Sequence, residues 1–390
     1  MDGLHFDQLA RTVGGQRSRR AVTLALGAAA SAALVHSEPS WAKNKKKPKK
    51  KPICVNGVDQ KVSGDKRKKL LKNGATAGPC PAVPPPCVPQ CNGTTCSNDG
   101  CGGTCACNSG AVCDQGVCTA CAVVCNGDSP AVCGTRLAQA LLGGGKVVVC
   151  PGRYLGAFNT DINNTTLIGA GSGDNPAVDT ILVASANARP LGVPSNITAF
   201  VSRLRITGGS TPFAGGGVRG DPGSVLFMDQ CAVVDNKSTL SGSGISSAGR
   251  LTMTRSTVSG NGGQMSVGGG GLELRNGPHL IEDSVIAENL AFYGGSGDKA
   301  GGGLYCAGNA IVDIRGTEIS ENACQKEGGG IYLESGSITL DAATRIVKNE
   351  AGYTGAGGGI YRKSGNVFFN GATVTENKFD NCAGTVNFTC

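Results

Sequence analysis

Short segments of alternating apolar and polar residues fill the C-terminal two-thirds of the chain. The segments at 311–314 and 338–340 are typical, with apolar residues at every second position and turn residues on either side. A period of two predicts strands that bury one face, and none of these segments has the length or the 3.6-residue period of a helix. The pattern therefore predicts an all-β region.

These segments recur with a fixed period. The residues that follow successive glycine runs are 27, 27, 32, 27 and 29 positions apart, and they are Val218, Ile245, Leu272, Leu304, Ile331 and Ile360. An asparagine recurs independently at steps of 25, 28, 33, 27 and 28, and its positions are Asn236, Asn261, Asn289, Asn322, Asn349 and Asn377. A unit of about 27 residues cannot bury an apolar face alone and must stack on its neighbours. The repeat predicts a parallel β-helix over residues 129–390, with one coil per unit.

The register of the repeat predicts which side chains face inward. Three residues before each repeated asparagine stands a β-branched residue, and these are Val233, Val258, Ile286, Ile319, Ile346 and Val374. Two residues earlier stands a small residue, and these are Cys231, Ser256, Ser284, Thr317, Thr344 and Ala372. Adjacent coils lie about 4.8 Å apart, so the alignment also predicts ion pairs, namely Arg255 with Asp283, Glu282 with Arg315, and Glu318 with Arg345. The repeated asparagines are expected to form a structural ladder of amide hydrogen bonds.

The motifs Gly-Gly-Gly-Leu-Tyr at 301–305 and Gly-Gly-Gly-Ile-Tyr at 328–332 are each followed by a β-branched-x-x-Asn sequence. They resemble the repeats of polymorphic outer-membrane proteins and, more widely, the right-handed β-helices of the pectin-lyase-like class. The resemblance covers about residues 130–390 and implies a right-handed solenoid. The usual Phe-x-x-Asn of that family is Ile-Ser-Glu-Asn at 319–322, so the kinship is architectural. Residues 135–142 are expected to form a helix that caps the open N-terminal end.

The N-terminal segment changes the interpretation of the overall charge of +8. Residues 1–42 combine arginines, a short apolar stretch and a small-x-small exit, which predicts a signal peptide of either the twin-arginine or the ordinary secretory type. Residues 43–79 form a predicted basic linker, in which 43–72 carry twelve Lys and one Arg against two Asp. Repulsion and proline predict that this tract is extended, either as a plain linker or as an electrostatic tether to an anionic envelope. The rest of the chain is mildly acidic, which argues against a nucleic-acid partner.

The chain has 19 cysteines, and they are densest at residues 80–128. Few apolar residues lie between them, so this segment is predicted to be a disulfide module. The spacing of Cys118, Cys121 and Cys125 leaves zinc as the alternative. Cys231 is expected to be a buried free thiol because it belongs to a column of small inward residues. Two further pairings are suggested, Cys133 with Cys150 and Cys382 with Cys390.

A tyrosine column carries the binding hypothesis. The outward position after the glycine runs holds Tyr305, Tyr332 and Tyr361 on successive coils. An exposed aromatic stripe of this kind would stack on sugar rings or partner side chains. The alternative is that these tyrosines only shield the strand face. The longer step between Asn289 and Asn322 places a Gly-rich excursion beside them, which is a candidate binding loop.

The pectin-lyase-like class includes enzymes that cleave sugar polymers, so the resemblance makes an enzyme an alternative hypothesis. Glu288 and Glu321 precede ladder asparagines on adjacent coils, near the ~5 Å separation of a retaining glycosidase pair. The alternative for both is a solvated turn. His279 aligns with an inward apolar column and is expected to be a wall residue. The Asn-Thr-Asp at 159–161 matches one polygalacturonase motif, but the others do not follow.

Together these observations predict a secreted or surface-associated β-helix protein without catalysis, which acts in adhesion or polysaccharide binding. The expected partner is an extracellular polysaccharide or a cell-envelope polymer. A polysaccharide lyase or glycoside hydrolase and a purely structural envelope protein are the alternatives. No cofactor or metal is expected, with calcium left open because lyases of this fold use it.

Overall fold

The computed structural model describes residues 51–55, 58–62, 64–73, 75–77, 96, 107–264, 268–292, 301–352, 356–385 and 388–390. The chain divides into two compact units, residues 1–88 and 89–390. The predicted signal peptide 1–42 lies outside the described residues, as does most of the cysteine module before residue 107.

The basic tract was expected to be extended, but the first unit contains regular secondary structure there. Its elements are an antiparallel sheet of Val58–Val62, Lys51–Val55 and Thr76–Ala77, and a helix over Gly64–Lys72. The helix forms despite the like charges because lysine is a good helix former. Asp65 in its first turn and Lys69 and Lys72 in its last turn also complement the helix dipole.

The second unit is a solenoid in which each of nine coils contributes one strand to each of three parallel sheets. The first sheet consists of Lys146–Val148, Thr165–Ile168, Thr198–Ser202, Val225–Asp229, Arg250–Thr254, Pro278–Glu282, Ile311–Arg315, Ser337–Leu340 and Asn366–Phe369. The second consists of Gly152–Gly156, Thr180–Ala184, Arg205–Thr207, Ala232–Val234, Thr257–Ser259, Val285–Ala287, Glu318–Ser320, Arg345–Val347 and Thr373–Thr375. The third consists of Phe158–Asn159, Leu191–Val193, Val218–Gly220, Ile245–Ser247, Leu272–Arg275, Leu304–Ala307, Ile331–Leu333, Ile360–Arg362 and Cys382–Gly384.

Short strands widen the turns between the second and third sheets. Ser210–Thr211 pairs with Lys237–Ser238, and Leu290–Phe292 lies between Gly262–Gln264 and Ala323–Cys324. Before the solenoid, Ala111–Asp114 and Val117–Ala120 form a hairpin.

The predicted register is confirmed. The residues that follow the glycine runs are direct strand partners from Val218 through to Ile360. The β-branched column pairs in the same way from Val233 to Val374, and its first five members are buried in one continuous core. This core runs along the axis of the solenoid and is thin because each coil adds only a few side chains.

Two hydrogen-bonded ladders run parallel to this core. The Nδ2 of each ladder asparagine donates to the Oδ1 of the next at 2.9–3.0 Å, from Asn236 to Asn377. Each Oδ1 also accepts the backbone N–H of the preceding asparagine. In the column of small residues, hydroxyls accept backbone N–H groups of the coil before, as Ser256 does from Cys231 at 3.0 Å. These buried polar side chains are therefore paired along the axis.

Two of the three predicted ion pairs form. Arg315 lies 4.0 Å from Glu282, and Arg345 lies 3.8 Å from Glu318. The prediction for Arg255 is wrong, because its guanidinium makes two hydrogen bonds to Asp229 on the preceding coil. Arg255 has a left-handed φ of 47° at the turn between the first and second sheets, which sets the direction of its side chain.

A helix closes the N-terminal end of the solenoid, as predicted, but it begins earlier and spans Pro130–Leu142. Ser129 caps it by accepting the N–H of Val132, and the buried Leu137 and Leu141 belong to the main core. A Cβ at Gly134 would lie 1.9 Å from the carbonyl oxygen of Leu155, so the helix backbone rests on the first coil. Among the described residues, neither helix has the length and apolar character required to cross a bilayer.

Five disulfides lie among the described residues, and they are Cys96–Cys113, Cys107–Cys118, Cys121–Cys150, Cys125–Cys133 and Cys382–Cys390. The last was predicted and is confirmed. The suggested pairing of Cys133 with Cys150 is wrong. The segment before the helix pairs with the first coil, since Cys150 N–H donates to Val123 O, and this places Cys121 beside Cys150.

These bridges leave none of Cys118, Cys121 and Cys125 as a thiolate for the alternative zinc site. Cys231 is a buried free thiol, as predicted. Cys306 and Cys324 are also free and buried, although Cys231 was the only free thiol that the sequence analysis named. Cys306 stands between leucines in an apolar column of the third sheet, and Cys324 packs between two alanines.

Candidate functional site

The three tyrosines predicted to bind ligand do stack on successive coils of the third sheet. The ring centroids of Tyr305 and Tyr332 are 5.6 Å apart, and those of Tyr332 and Tyr361 are 5.3 Å apart. Their predicted exposure is wrong for two of the three, because Tyr305 and Tyr332 are each only 1% exposed and Tyr361 is half-buried. The column is therefore a covered wall.

Backbone from the glycine runs covers the tyrosine rings. A Cβ at Gly268 would lie 3.3 Å from the Tyr305 ring, and one at Gly301 would lie 3.1 Å from the Cβ of Tyr332. The Tyr305 hydroxyl donates to Glu334, and the Arg275 guanidinium lies 5.7 Å from the Tyr305 ring centroid. Burial raises the pKa of Tyr305 well above its usual range, and the bond to Glu334 adds to this. The phenol therefore stays neutral and structural.

The coil before Tyr305 carries a buried carboxylate in the same column. Glu273 accepts hydrogen bonds from Ser241 Oγ at 2.6 Å and Ser246 Oγ at 2.7 Å, and it pairs with Arg275 at 2.6 Å. All of its oxygens are thus engaged by neighbours within the protein. This arrangement stabilises the covered face and offers no vacant group for chemistry.

Glu288 and Glu321, the alternative catalytic pair, are exposed residues of turns. Both have a φ of 55°, and the equivalent positions in the other coils, such as Asp235 and Lys348, are also left-handed. The turn conformation is thus common to this column whatever the side chain. The geometry agrees with the solvated-turn interpretation, although a catalytic role for either residue stays untested.

His279 is buried on the inner side of the first sheet, as its column predicted. Its Nδ1 accepts the backbone N–H of Leu251 at 3.3 Å, and its Nε2 lies 3.0 Å from the carbonyl oxygen of Asn276. Burial lowers the pKa of His279 to about 4. The imidazole is therefore neutral near pH 7 and has both nitrogens occupied, which suits a wall residue.

The aromatic surface that the structure does expose lies on the first sheet. Phe200 and Phe227 are strand partners on adjacent coils, and their rings stack with centroids 4.8 Å apart and an interplanar angle of 5°. Phe200 is 38% exposed, and Phe227 is half-buried. Sequence reasoning missed this pair, although the two residues are one 27-residue repeat apart and lie at an outward position of the strand.

Polar groups border this phenylalanine pair along a groove of about 210 Å³. Asp229 accepts hydrogen bonds from Thr254 at 2.7 Å and from Arg255 at 2.6 and 2.9 Å. Burial works against its ionisation, but these hydrogen bonds hold the pKa of Asp229 below its usual value. The Oγ1 of Thr252, which also lines the groove, is buried and has no hydrogen-bond partner among the described residues. The groove thus combines an apolar floor, an ionised acceptor and an unused hydroxyl.

Comparison with known families identifies the architecture. The model of the family described as a right-handed β-helix region matches residues 194–379. The solenoid is a right-handed β-helix. No curated protein and no solved structure matches the chain. The β-helix fold fits a surface or carbohydrate-related protein.

The matched part of the β-helix contains both candidate surfaces, the phenylalanine pair and the tyrosine column. They lie on different sheets and on different coils, and among the described residues the phenylalanine pair is the more exposed of the two. The finer likeness to the repeats of polymorphic outer-membrane proteins stays a prediction.

Proposed function

We propose that this β-helix protein binds an extracellular polysaccharide on its first sheet and does not cleave it. The observation that carries the proposal is the partly exposed stack of the parallel Phe200 and Phe227 rings. Sugar rings bind proteins by placing their apolar faces on aromatic rings, while their hydroxyls find hydrogen bonds at the edge. The phenylalanine pair provides the aromatic floor, and the groove beside it provides the edge.

The polar rim supports a carbohydrate in preference to an apolar partner. Asp229 offers an ionised acceptor that is already oriented by Thr254 and Arg255, so a ligand hydroxyl would meet a fixed group. The Arg250 guanidinium lies over the Phe227 ring, 6.0 Å from its centroid, and adds a cationic donor beside the groove.

A lyase or hydrolase of sugar polymers remains the alternative function. It would require groups such as Glu288 and Glu321, which lie in exposed turns and are not among the residues that line the groove. Under our proposal, Glu288→Gln and Glu321→Gln leave polymer binding unchanged. A polymer-cleaving activity that either substitution abolished would favour the enzyme.

The test combines binding and turnover in one assay. The protein is incubated with acidic and neutral polysaccharides, with and without calcium, and co-sedimentation, new reducing ends and unsaturated-product absorbance are recorded. We expect one or more polymers to bind without turnover. The double variant Phe200→Ala/Phe227→Ala should lose at least about tenfold in affinity, since each aromatic contact contributes about 1 kcal/mol.

Phe368→Ala is the matched control. Phe368 is 51% exposed on the last strand of the same sheet, and it has the same side chain without a stacked ring among the described residues. It should bind like the parent protein. Equal losses in both variants, or unchanged binding in the double variant with an unchanged melting temperature, would contradict the proposed surface. Absence of any binding or turnover would favour the structural envelope role.

We also propose that the protein is secreted or held at the cell surface and that residues 43–72 act as an electrostatic tether. The helix Gly64–Lys72 supports this, because its lysines at 66, 68, 69 and 72 are exposed. Binding to vesicles that contain anionic lipid should then be lost when these four lysines are replaced by glutamine. It should also weaken as salt rises, because surface attraction is screened. Salt-independent binding would contradict a tether.

A further inference from the structure

A second concave site lies on the third sheet, on the coils that come before the tyrosine column. This cleft has a volume of about 250 Å³, and its polar lining residues are Asn159, Arg189, Arg219 and Asp221. Asn159, Gly192 and Arg219 are strand partners on three successive coils, so Asn159 and Arg219 are separated by about 10 Å. The sheet itself thus fixes the two sides of the cleft.

Gly192 keeps the space between these two sides open. The other described positions in this column, from Arg219 to Tyr361, carry side chains that cover the sheet. At Gly192 a Cβ would lie 2.4 Å from the Oδ1 of Asn159, so any larger residue would displace the amide and fill the floor. The Asn159 amide therefore lies against the Gly192 backbone and forms part of the floor of the cleft.

The cleft carries an excess of positive charge. Arg219 Nε donates to Asp221 Oδ1 at 2.6 Å, which occupies one edge of that guanidinium and the only carboxylate in the lining. Arg189 Nη1 donates to the neutral carbonyl of Ala214 at 2.8 Å, and no described residue brings a carboxylate within ion-pair distance of Arg189. Two guanidinium groups therefore share one acidic partner.

The guanidinium of Arg189 is also held in an unfavourable environment for a cation. Burial lowers the pKa of Arg189, the neighbouring Arg219 lowers it further, and Asp221 only partly opposes them. A bound anion would relieve both the desolvation and the repulsion between the two arginines. Arginine forks bind planar and tetrahedral oxyanions through paired N–H donors, and the Asn159 amide provides a further donor.

We propose that this cleft binds the oxyanion of an acidic sugar, either a uronate carboxylate or a sulfate ester, between Arg189 and Arg219. The identification of the anion as part of a sugar rests on the proposed function. The anion site itself does not depend on that proposal. The cleft and the phenylalanine pair lie on different sheets, so the two sites can fail independently. Together they would select an acidic polysaccharide over a neutral one.

The test is calorimetric titration of the full chain with three probes. These are trigalacturonate, its methyl ester as the neutral match, and a monosulfated neutral trisaccharide. We expect the acid or the sulfated sugar to bind more tightly than the ester, with an affinity that falls as salt rises. Preference between the two anionic probes identifies which oxyanion the site takes.

Variants assign the binding to the cleft. Arg219→Gln should weaken binding of the anionic probe at least about tenfold. Asp221→Asn should strengthen it about threefold, because the competing carboxylate is gone. Arg345→Gln, which removes the same charge from an exposed strand of the second sheet, should have no effect.

The outcomes are distinct. Equal losses in Arg219→Gln and Arg345→Gln, or binding of both anionic probes no tighter than that of the methyl ester, would overturn the anion site. Weaker binding in Asp221→Asn would show that the carboxylate is needed and would also overturn it. Phe200→Ala/Phe227→Ala should retain the anion response, so loss of polymer binding in that variant alone concerns only the phenylalanine surface.

Discussion

The asparagine ladder makes a quantitative prediction for Asn322→Ala. The Oδ1 of Asn322 accepts the backbone N–H of Asn289 at 3.0 Å and its Nδ2 at 2.9 Å. The Nδ2 of Asn322 donates to Asn349 Oδ1 at 2.9 Å and to the carbonyl of Ile286 at 2.8 Å. Alanine removes all four bonds, and a Cβ at Gly303 would lie only 3.0 Å from Asn322 Cγ, so the neighbouring backbone leaves little room for water.

The cost follows from which groups keep a partner. Asn289 Nδ2 still donates to Val258 O, and Asn349 Oδ1 still accepts the Asn322 N–H. The N–H of Asn289 has no replacement, whereas the carbonyl of Ile286 lies within the parallel strand ladder opposite Glu318–Ser320. A buried polar group left unpaired costs about 1–3 kcal/mol, so the substitution should destabilise the protein by about that amount.

The assay is urea unfolding followed by circular dichroism, together with hydrogen exchange of the peptide that contains Asn289. Because each coil contacts only its neighbours, protection should fall most in the coils beside the substitution. Asn377→Ala is the matched control, since Asn377 belongs to the same ladder but is half-exposed and accessible to water. It should cost clearly less. A loss below about 1 kcal/mol for Asn322→Ala would refute the argument that unpaired ladder groups dominate.

Three further predictions concern cysteines and histidine. Replacing Cys382 and Cys390 by serine should cost at most about 2–3 kcal/mol, because the bridge closes a short loop, and the loss of hydrogen-exchange protection should be confined to the last coil. The buried thiols, such as Cys231, should resist iodoacetamide until the protein is denatured, since burial raises the pKa of Cys231 to about 12. His279 has a pKa of about 4 in the folded state, against ~6.5 when unfolded, so the unfolded state takes up the proton first. Stability should fall by up to about 3 kcal/mol as the pH drops from ~6.5 to 4, and His279→Gln should remove that slope in melting experiments.

The coil register was predictable because two unrelated markers share one period. The glycine runs and the ladder asparagines each have a physical reason to recur, since a Cβ in a glycine run would collide with the next coil and an unpaired buried amide is costly. A Cβ at Gly302, for example, would lie 2.3 Å from the carbonyl oxygen of Gly329. The position of a residue in the coil therefore determines which residue type is found there. For this reason, aligning the repeats by residue type recovers which strand residues pair between coils.

Exposure was less predictable than register. Alternation places Tyr305 on the outer side of its strand, but it does not reveal whether another segment crosses above it. The backbone at Gly268 does so, which makes an outward residue a buried one. The partner of Cys150 escaped prediction for a similar reason, since the contact of Val123 with the end of the first coil depends on where the preceding segment turns.

The difference between the two faces of the β-helix has a functional consequence. On the third sheet the glycine runs lie against the tyrosines, and the covered rings and Glu273 are satisfied within the protein. On the first sheet Phe200 is 38% exposed among the described residues, and this exposure costs hydrophobic free energy that a ligand would recover. The repeat buries Tyr305 and Tyr332 in one column but leaves a stacked phenylalanine pair partly open in another, and our proposal assigns the binding surface to that open pair. The same reasoning applies to Gly192, where one coil lacks the side chain that would close the arginine cleft.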